Sequence, residues 1–239
     1  MRGNGLKRGI GIALTGLVGL VSVAVVLSGC RPKIYNDGTY KGISTAGDKG
    51  YAIADVVIEK DTIKSVKLTE INELGLEKDY ATYPYPKAKE ANEEMAKRFI
   101  GRSDNQVDTY AGATMSSSQY KEAVGFALEK AKRTPSIETV AFDGTFAGRS
   151  KETPEGWQVA WVTIQGDKIT SVRLDDVEDG KLKDWVTYSY VKAVEAKGLL
   201  EKAMVDKNTT IVDTVAGATR SCTGWIEAAS QAWQNAKVR

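Results

Sequence analysis

Two short segments of the chain combine an acid, a Gly-Ala pair and several hydroxyls in the same order. They are residues 108–116 (DTYAGATMS) and 213–221 (DTVAGATRS). In each, a tight turn precedes hydroxyl residues that open a helix. One interpretation is structural, because Asp, Thr and Ser side chains accept hydrogen bonds from free amides at a helix start. The other is chemical: those amides bind phosphate, and a threonine hydroxyl presented there can carry a phosphoryl group.

The composition excludes several kinds of catalytic and metal site. The 239 residues include no His and two Cys, which rules out Ser-His-Asp and Cys-His catalysis and His-ligated haem. Two cysteines cannot hold an iron–sulfur cluster or a Cys-rich zinc site. Redox or metal chemistry must therefore use a bound organic cofactor or oxygen ligands. We predict no catalytic residues and no metal ligands.

The two segments belong to an internal repeat of roughly one hundred residues. Residues 37–42 match 143–148 and residues 54–68 match 160–174 at an offset of 106; residues 80–90 match 185–195 and residues 108–117 match 213–222 at an offset of 105. The seam is Arg133-Thr134-Pro135-Ser136, since proline discourages helix. We therefore predict one domain over residues 37–134 and a second over residues 135–239.

Each copy shows the signals of a hairpin followed by two helices. Apolar β-branched runs flank polar turns at Lys60-Asp61 and at residues 165–168, which predicts an antiparallel hairpin. Helical stretches follow at residues 87–100 and 192–204, and another helix follows each Gly-Ala-Thr segment. The predicted buried stripes of that last helix are Tyr120, Val124, Ala127, Leu128 and Ala131, and Trp225, Ala229, Ala232, Trp233 and Ala236. The fold class is α+β, with two repeated small domains that each pack helices on an antiparallel sheet.

The amino terminus has the pattern of an export signal. Arg2, Lys7 and Arg8 precede an uncharged apolar run over residues 10–27, which ends in Leu-Ser-Gly-Cys30. This ending resembles a bacterial lipobox, which implies that residues 1–29 are a lipoprotein signal peptide, that Cys30 is lipidated, and that residues 30–36 form a tether. The alternative is an uncleaved membrane anchor. Both interpretations place the remaining chain outside the cytoplasm, on the cell membrane.

The charge balance does not indicate a nucleic-acid partner. The whole chain has 33 basic and 31 acidic side chains, and residues 1–29 contain three of the basic and none of the acidic ones. The mature chain therefore has a net charge of about −1 and no basic stripe. With Cys30 lipidated, Cys222 has no cysteine left for an intrachain disulfide.

At residues 108–116 and 213–221 the sequence resembles the FMN-binding domain family. Its members include the C subunit of sodium-pumping quinone reductase, the Rnf G subunit and flavinylated extracellular lipoproteins, and its motif is approximately Asp-x-x-(Ser/Thr)-Gly-Ala-(Thr/Ser)-x-(Ser/Thr). The resemblance implies that a magnesium-dependent flavin transferase uses FAD to join FMN to the threonine through a phosphoester. The attachment residues are then Thr114 and Thr219, and the matching motif residues are Asp108, Gly112, Ala113 and Ser116, and Asp213, Gly217, Ala218 and Ser221.

One departure from the family motif bears on attachment. Ala111 and Ala216 stand where the family usually has Ser or Thr, so flavin attachment is slower or partial if that hydroxyl assists the transferase.

Several residues near the two motif segments have both a functional and a structural interpretation. Tyr83, Tyr85, Tyr188 and Tyr190 either wall a flavin ring or pack half-buried. Lys78 and Lys183 either stabilise a reduced flavin or are solvated surface lysines, and Cys222 is either redox-active or a small buried hydrophobe.

The resemblance implies an electron carrier rather than an enzyme. It would be a membrane-anchored, extracytoplasmic flavoprotein with two covalent FMN groups, which supply the redox chemistry. The implied partners are a flavin transferase, a membrane electron donor linked to quinone or NADH, and an acceptor protein or external acceptor. The alternatives are a non-redox binding or structural lipoprotein, whose Gly-Ala-Thr turns are only helix starts, and a flavin-dependent reductase with its own small substrate.

Overall fold

Strand-favouring residues on both sides of a tight turn form the central hairpin of each repeat. In the computed structural model, which describes residues 32–239, β2 (Tyr51–Glu59) pairs with β3 (Thr62–Ile71), and β5 (Trp157–Gln165) pairs with β6 (Lys168–Glu178). Both pairs are antiparallel, as predicted. The turn residues Lys60, Asp61 and Asp167 have φ values of 51°, 62° and 62°, because a two-residue hairpin turn requires positive φ. The predicted signal peptide and Cys30 lie outside the described residues.

Outer strands complete two antiparallel sheets. β1 (Gly38–Ile43) pairs with the free edge of β2, and β4 (Gly144–Arg149) pairs with that of β5. A two-residue strand, β7 (Lys181–Leu182), adds to β6. The sheet orders are β1-β2-β3 and β4-β5-β6-β7. With the four helices, these sheets confirm the predicted α+β class.

Two helices follow each sheet at the predicted positions. They are α1 (Lys87–Phe99) and α2 (Thr114–Ala131) in the first repeat, and α3 (Val191–Asp206) and α4 (Thr219–Ala236) in the second. A Cβ on Gly42 would lie 1.8 Å from the Ala123 carbonyl oxygen, and one on Gly148 would lie 2.3 Å from that of Ala228. Glycine at these positions therefore allows α2 and α4 to cross the sheet edge at backbone contact.

Each repeat has a core between its sheet and its helices. Along β2, every second residue from Ala52 to Ile58 is fully buried, while the residues between them are partly exposed. The predicted stripe of α2 is buried throughout. The stripe of α4 is buried except for Trp233, which is only partly buried. These stripes are core, as predicted.

A third apolar cluster joins the two sheets. It contains Ile43 and Tyr51 from the first repeat and Trp157, Val159 and Trp161 from the second. Trp157 Nε1 also donates a hydrogen bond to the carbonyl oxygen of Leu74, at 2.7 Å. Residues Lys33–Arg239 consequently form one compact unit. The predicted domain boundary at residues 134/135 stays a prediction, and no helix in residues 32–239 is long and apolar enough to cross a membrane.

A buried carboxylate holds the segment between the repeats. Glu129 accepts hydrogen bonds from the backbone amides of Ser136 and Ile137, at 2.7 and 3.0 Å, and from the Ser136 hydroxyl. Its carboxylate also lies 2.7 Å from Lys132 Nζ, and its side chain is 7% exposed. Burial favours the protonated acid, but these donors outweigh it and lower the Glu129 pKa to about 2. Glu129 therefore stabilises the connection as a carboxylate.

Candidate functional site

The two Gly-Ala-Thr segments form the same turn in front of a helix. Gly112 and Gly217 have φ values of 89° and 87°, which a residue with a Cβ rarely adopts. The helices then begin at Thr114 and Thr219, with Ala113 and Ala218 as the preceding cap residues. Both threonines are exposed. The turn therefore presents a threonine hydroxyl as the first side chain of a long helix.

The first-turn amides of both helices are open. The first hydrogen bond of α2 runs from Ser117 N to Ala113 O, and that of α4 from Cys222 N to Ala218 O, at 2.9 and 3.0 Å. No side chain caps either helix. Within residues 32–239, no partner is found for the amides of residues 114–116 or 219–221. These six amides and the helix dipole favour an anion at each helix start.

The expectation that acids and hydroxyls of the motif cap these helices is therefore wrong, although both helices do begin at the threonines. Asp108 and Asp213 are exposed, and the nearest cation to the Asp213 carboxylate is Lys207 Nζ, at 3.6 Å. Ser116 and Ser221 are partly buried and cap nothing. The next residue in each repeat instead braces the turn. Ser117 Oγ accepts a hydrogen bond from the Tyr110 amide at 3.0 Å, and Cys222 Sγ accepts one from the Val215 amide at 3.5 Å.

Tyrosines hold both turns from outside. Tyr85 donates a hydrogen bond from its hydroxyl to the Gly112 carbonyl oxygen at 2.8 Å, and Tyr190 donates one to the Gly217 carbonyl oxygen. A Cβ on Gly112 would lie only 2.9 Å from the Tyr85 hydroxyl oxygen. Glycine is therefore required at position 112 for two reasons, its positive φ and the lack of space for a Cβ beside Tyr85.

Lys78 and Lys183 are not solvated surface residues, which corrects that interpretation. Lys78 Nζ lies 2.8 Å from the Glu70 carboxylate, and their side chains are 12% and 4% exposed. Lys183 Nζ lies 3.1 Å from the Asp176 carboxylate and also contacts Glu178; the side chains of Lys183 and Asp176 are 7% and 5% exposed. Burial acts to lower the pKa of Lys183, but the two carboxylates raise it above its usual value.

Each of these lysines lies against a tyrosine ring. The Nζ atoms of Lys78 and Lys183 are 4.3 and 4.1 Å from the ring centroids of Tyr83 and Tyr188, which is cation–π distance. The carboxylates Glu70 and Asp176, which hold the lysines, were missed from the sequence. Their signal was available, since they occupy matching positions of the repeat at the offset of 106.

A cavity adjoins the start of each helix. The first site is a cavity of about 380 Å³ lined by Lys78, Tyr83, Tyr85, Ala88 and residues 112–116. The second site is about 500 Å³ and is lined by Lys183, Tyr188, Arg220 and Ser221, together with residues of β5, β6 and α4. Both volumes are in the range of small-molecule sites. The first cavity thus combines open helix amides, an aromatic ring and a buried cation, and its lining includes Thr114. The second has the aromatic ring and the buried cation, but its lining does not include Gly217, Ala218 or Thr219.

The comparison with family models matches one of these sites. Residues 49–129 match the model described as FMN-binding domain. Residues 49–129 are therefore identified as an FMN-binding domain. The matched stretch begins before β2 and includes α1, most of α2 and all lining residues of the first site. The domain therefore supports flavin binding and an electron-transfer role, since members of this family are generally electron carriers rather than catalytic enzymes.

Other comparisons add little to this identification. No curated protein matches the chain. Among solved structures, the chain is similar to the CPE2226 protein from Clostridium perfringens, with 19% identity over 40% of this chain and 88% of that one, at a TM-score of 0.35. The second repeat lies outside the family match.

The residues beside both turns fit the charge of a phosphate group. One further cation, also missed from the sequence, lies beside each turn: a Cβ on Gly112 would be 3.7 Å from Lys87 Nζ, and one on Gly217 would be 3.5 Å from Lys192 Nζ. A phosphate at the helix start would meet this cation together with the open amides. In residues 32–239, no group of three His, Cys, Asp or Glu side chains is arranged to hold a metal ion.

Proposed function

We propose that the protein is a membrane-anchored, extracytoplasmic electron carrier with two covalent FMN groups, one on Thr114 and one on Thr219. The observation that carries the proposal is the pair of uncapped helices, each with an exposed threonine as its first residue. A helix start without a cap has unsatisfied amides, and a phosphate monoanion or phosphodiester supplies the missing acceptors. The duplication of this arrangement supports two attachment sites.

Attachment is the work of an external enzyme, the flavin transferase. In the proposed step, the threonine hydroxyl oxygen attacks the FMN phosphorus of FAD, and the bond from that phosphorus to the bridging oxygen breaks. AMP leaves, and the hydroxyl proton passes to a base of the flavin transferase. Asp108, Gly112, Ala113 and Ser116, with Asp213, Gly217, Ala218 and Ser221, form the turns that the transferase recognises. Ala111 and Ala216 slow this recognition if the transferase uses the usual hydroxyl.

The other residues of each site orient the bound group. Lys87 and Lys192 hold the phosphate together with the helix amides, and the rings of Tyr83 and Tyr188 stack on the flat side of the flavin. When bound, the isoalloxazine ring supplies the redox chemistry. Lys78 and Lys183 place positive charge at the cavity wall, where each is fixed by a buried carboxylate.

The location and partners follow from the amino terminus and from the carrier function. Lipid on Cys30 anchors the chain to the outer face of the cell membrane, and residues 30–36 connect it to the first repeat. Electrons enter from a membrane donor linked to quinone or NADH and leave to an acceptor protein or external acceptor. A carrier of this kind acts on no substrate of its own and binds no nucleic acid.

Intact mass spectrometry tests the attachment sites. Residues 33–239, which form one compact unit, are co-expressed with a flavin transferase that modifies a known acceptor. We expect the mass of two FMN groups, each less one water. Thr114→Ala and Thr219→Ala each lose one addition, and the double variant loses both. Thr109→Ala and Thr214→Ala are matched controls, since these threonines are exposed but precede the turn; both retain two additions.

The outcomes separate the alternatives. A single addition, lost in only one variant, leaves a carrier with one flavin. No addition to the wild type, with the known acceptor modified in the same cells, refutes covalent attachment and leaves a binding or structural lipoprotein. Reduction of a small molecule by the purified protein without a partner indicates instead a flavin-dependent reductase.

A further inference from the structure

The outer face of α3 exposes three aliphatic side chains among the charged residues Lys192, Glu195, Lys202 and Asp206. Val191, Val194 and Leu199 are 62%, 37% and 56% exposed. The residues of α3 that pack on the sheet lie on the opposite side of the helix: Ala193, Ala196, Leu200 and Met204. A surface helix of a globular protein normally has charged or polar residues on its outer face, and a group of exposed aliphatic side chains indicates an interaction surface.

The first repeat shows that the fold itself does not require these aliphatic residues. At the offset of 105, the positions of Val191, Val194 and Leu199 correspond to Pro86, Lys89 and Glu94 of the first repeat. The outer face of α1 is charged, with Lys89 and Glu93 forming an i,i+4 pair at 3.9 Å. The same supersecondary structure therefore has a charged outer face in one repeat and a partly aliphatic one in the other.

Gly198 lies in the middle of this outer face, and no contact within residues 32–239 requires a glycine there. A Cβ at this position would meet no atom within 4 Å. Glycine inside a helix costs about 1 kcal/mol relative to alanine, and the equivalent residue of α1 is Glu93. Because Gly198 is helical and unconstrained, neither φ nor internal packing explains it. Close approach of another backbone to α3 does, since a missing side chain lets two helices pack at a short interaxial distance.

We propose that α3 is the interface of a homodimer in which Gly198 lies on the two-fold axis. Helical spacing puts Val191, Val194, Glu195, Gly198 and Lys202 within about 100° of one another on the helix surface. A two-fold axis at Gly198 makes the two helices antiparallel, so that the Glu195 of each copy faces the Lys202 of the other. Glu195 has no ion-pair partner elsewhere in residues 32–239, whereas Lys202 pairs only with the exposed Asp206.

This charge arrangement favours a second copy of the chain, rather than an unrelated helix, as the partner that packs on α3. An isologous interface must complement itself, and a face with an acid three residues before its centre and a base four residues after it does so. The valines at positions 191 and 194 supply apolar contact on the amino-terminal side of the axis. The interface also begins next to Tyr190, whose hydroxyl donates a hydrogen bond to the Gly217 carbonyl oxygen, so dimerisation stiffens the turn before α4.

Cysteine cross-linking tests the position of the axis. In residues 33–239 the native thiol, Cys222, is fully buried, so an introduced cysteine is the reactive one. Glu195→Cys and Lys202→Cys are mixed in equal amounts, which puts a thiol of one copy opposite a thiol of the other and leaves Gly198 in place. We expect a disulfide-linked dimer of the two variants on mild oxidation. The matched control is the mixture of Glu90→Cys and Lys97→Cys, at the equivalent positions of α1, which stays monomeric. No cross-linking of the α3 mixture, or equal cross-linking of both mixtures, overturns the proposal.

Sedimentation equilibrium tests the interface without a new bond. The wild type dimerises at micromolar to millimolar concentration. The double variant Val194→Lys with Leu199→Glu, which introduces the residues that α1 has at these positions, raises the dimer dissociation constant at least tenfold. Folding is checked by circular dichroism, and Lys89→Glu on α1 is the control with unchanged association. A wild type that stays monomeric to about 1 mM, or an association that the double variant leaves unchanged, refutes the dimer.

Discussion

Lys183→Met tests whether the buried charges beside the second site depend on one another. Lys183 Nζ lies 3.1 Å from the Asp176 carboxylate. Methionine keeps most of the apolar stem but leaves Asp176, whose side chain is 5% exposed, without its cation. Removing one partner of a buried ion pair costs about 3–5 kcal/mol, because the other charge stays buried and uncompensated. We expect the free energy of unfolding at pH 7 to fall by about that amount.

The cost of Lys183→Met should decrease in acid. Burial raises the pKa of the Asp176 carboxyl, and loss of the lysine raises it further. A carboxyl with a raised pKa in the folded state destabilises the fold above its unfolded pKa, which is about 4. Below that pH the carboxyl is protonated in both states and the penalty disappears. The difference between variant and wild type should therefore shrink as the pH is lowered from 7 to about 4.

The assay is urea unfolding followed by tryptophan fluorescence, with linear extrapolation to water at both pH values. Lys181→Met is the control, because Lys181 is an exposed residue of β7; its effect should stay within about 0.5 kcal/mol. Adding Asp176→Asn to Lys183→Met should recover most of the loss. A loss below about 1 kcal/mol at pH 7, or one that is equal at both pH values, would show that the pair is not an electrostatic unit.

Three further predictions address the linker, the helix packing and the attachment step. Glu129→Gln should lower the free energy of unfolding at pH 7 by about 2–3 kcal/mol, measured by urea unfolding. Because the pKa of Glu129 is lowered to about 2, this difference from the wild type should vanish as the pH falls from about 4 to 2. Gly42→Ala, whose methyl meets the α2 backbone at 1.8 Å, should lower Tm by several degrees, measured by calorimetry. Under the proposed attachment, Lys87→Met should slow flavin addition at the first turn about tenfold, as expected for the loss of one charge-assisted contact. The control Lys89→Met should leave the rate unchanged, and time-resolved intact mass spectrometry measures both.

The elements of the fold were readable from local patterns. Alternating apolar residues around Lys60-Asp61 and residues 165–168 predicted both hairpins, and helical spacing predicted the four helices to within a few residues. The outer strands β1 and β4 were not separated from the opening Asp-Gly-Thr blocks. They pair at long range with β2 and β5, and the six residues of each edge strand have little periodicity of their own.

At the site, the motif predicted which threonines begin the helices but not what surrounds them. Repetition of residues 108–116 at 213–221 determined the two turns, because a glycine at positive φ and a following hydroxyl are local requirements. The sequence did not predict that both helices lack a side-chain cap, because this depends on the orientation of Asp108 and Asp213 in the folded chain. The pairing of Lys78 with Glu70 and of Lys183 with Asp176 likewise depends on the sheet register, which brings residues together that are separated in the sequence.

The sequence therefore determines the residue types and the local structure of the two turns, whereas the fold determines what surrounds them. Residue types and spacing determined the hairpins, the helices, the two turns and the absence of histidine chemistry, since each depends on neighbours within a few positions. Burial of the two lysines, the open helix amides and the packing of one sheet against the other depend on contacts between distant segments. Those contacts form when the apolar faces of different strands and helices pack together and exclude water. The residue pattern of one strand or helix shows its apolar face but does not specify which other element packs against it.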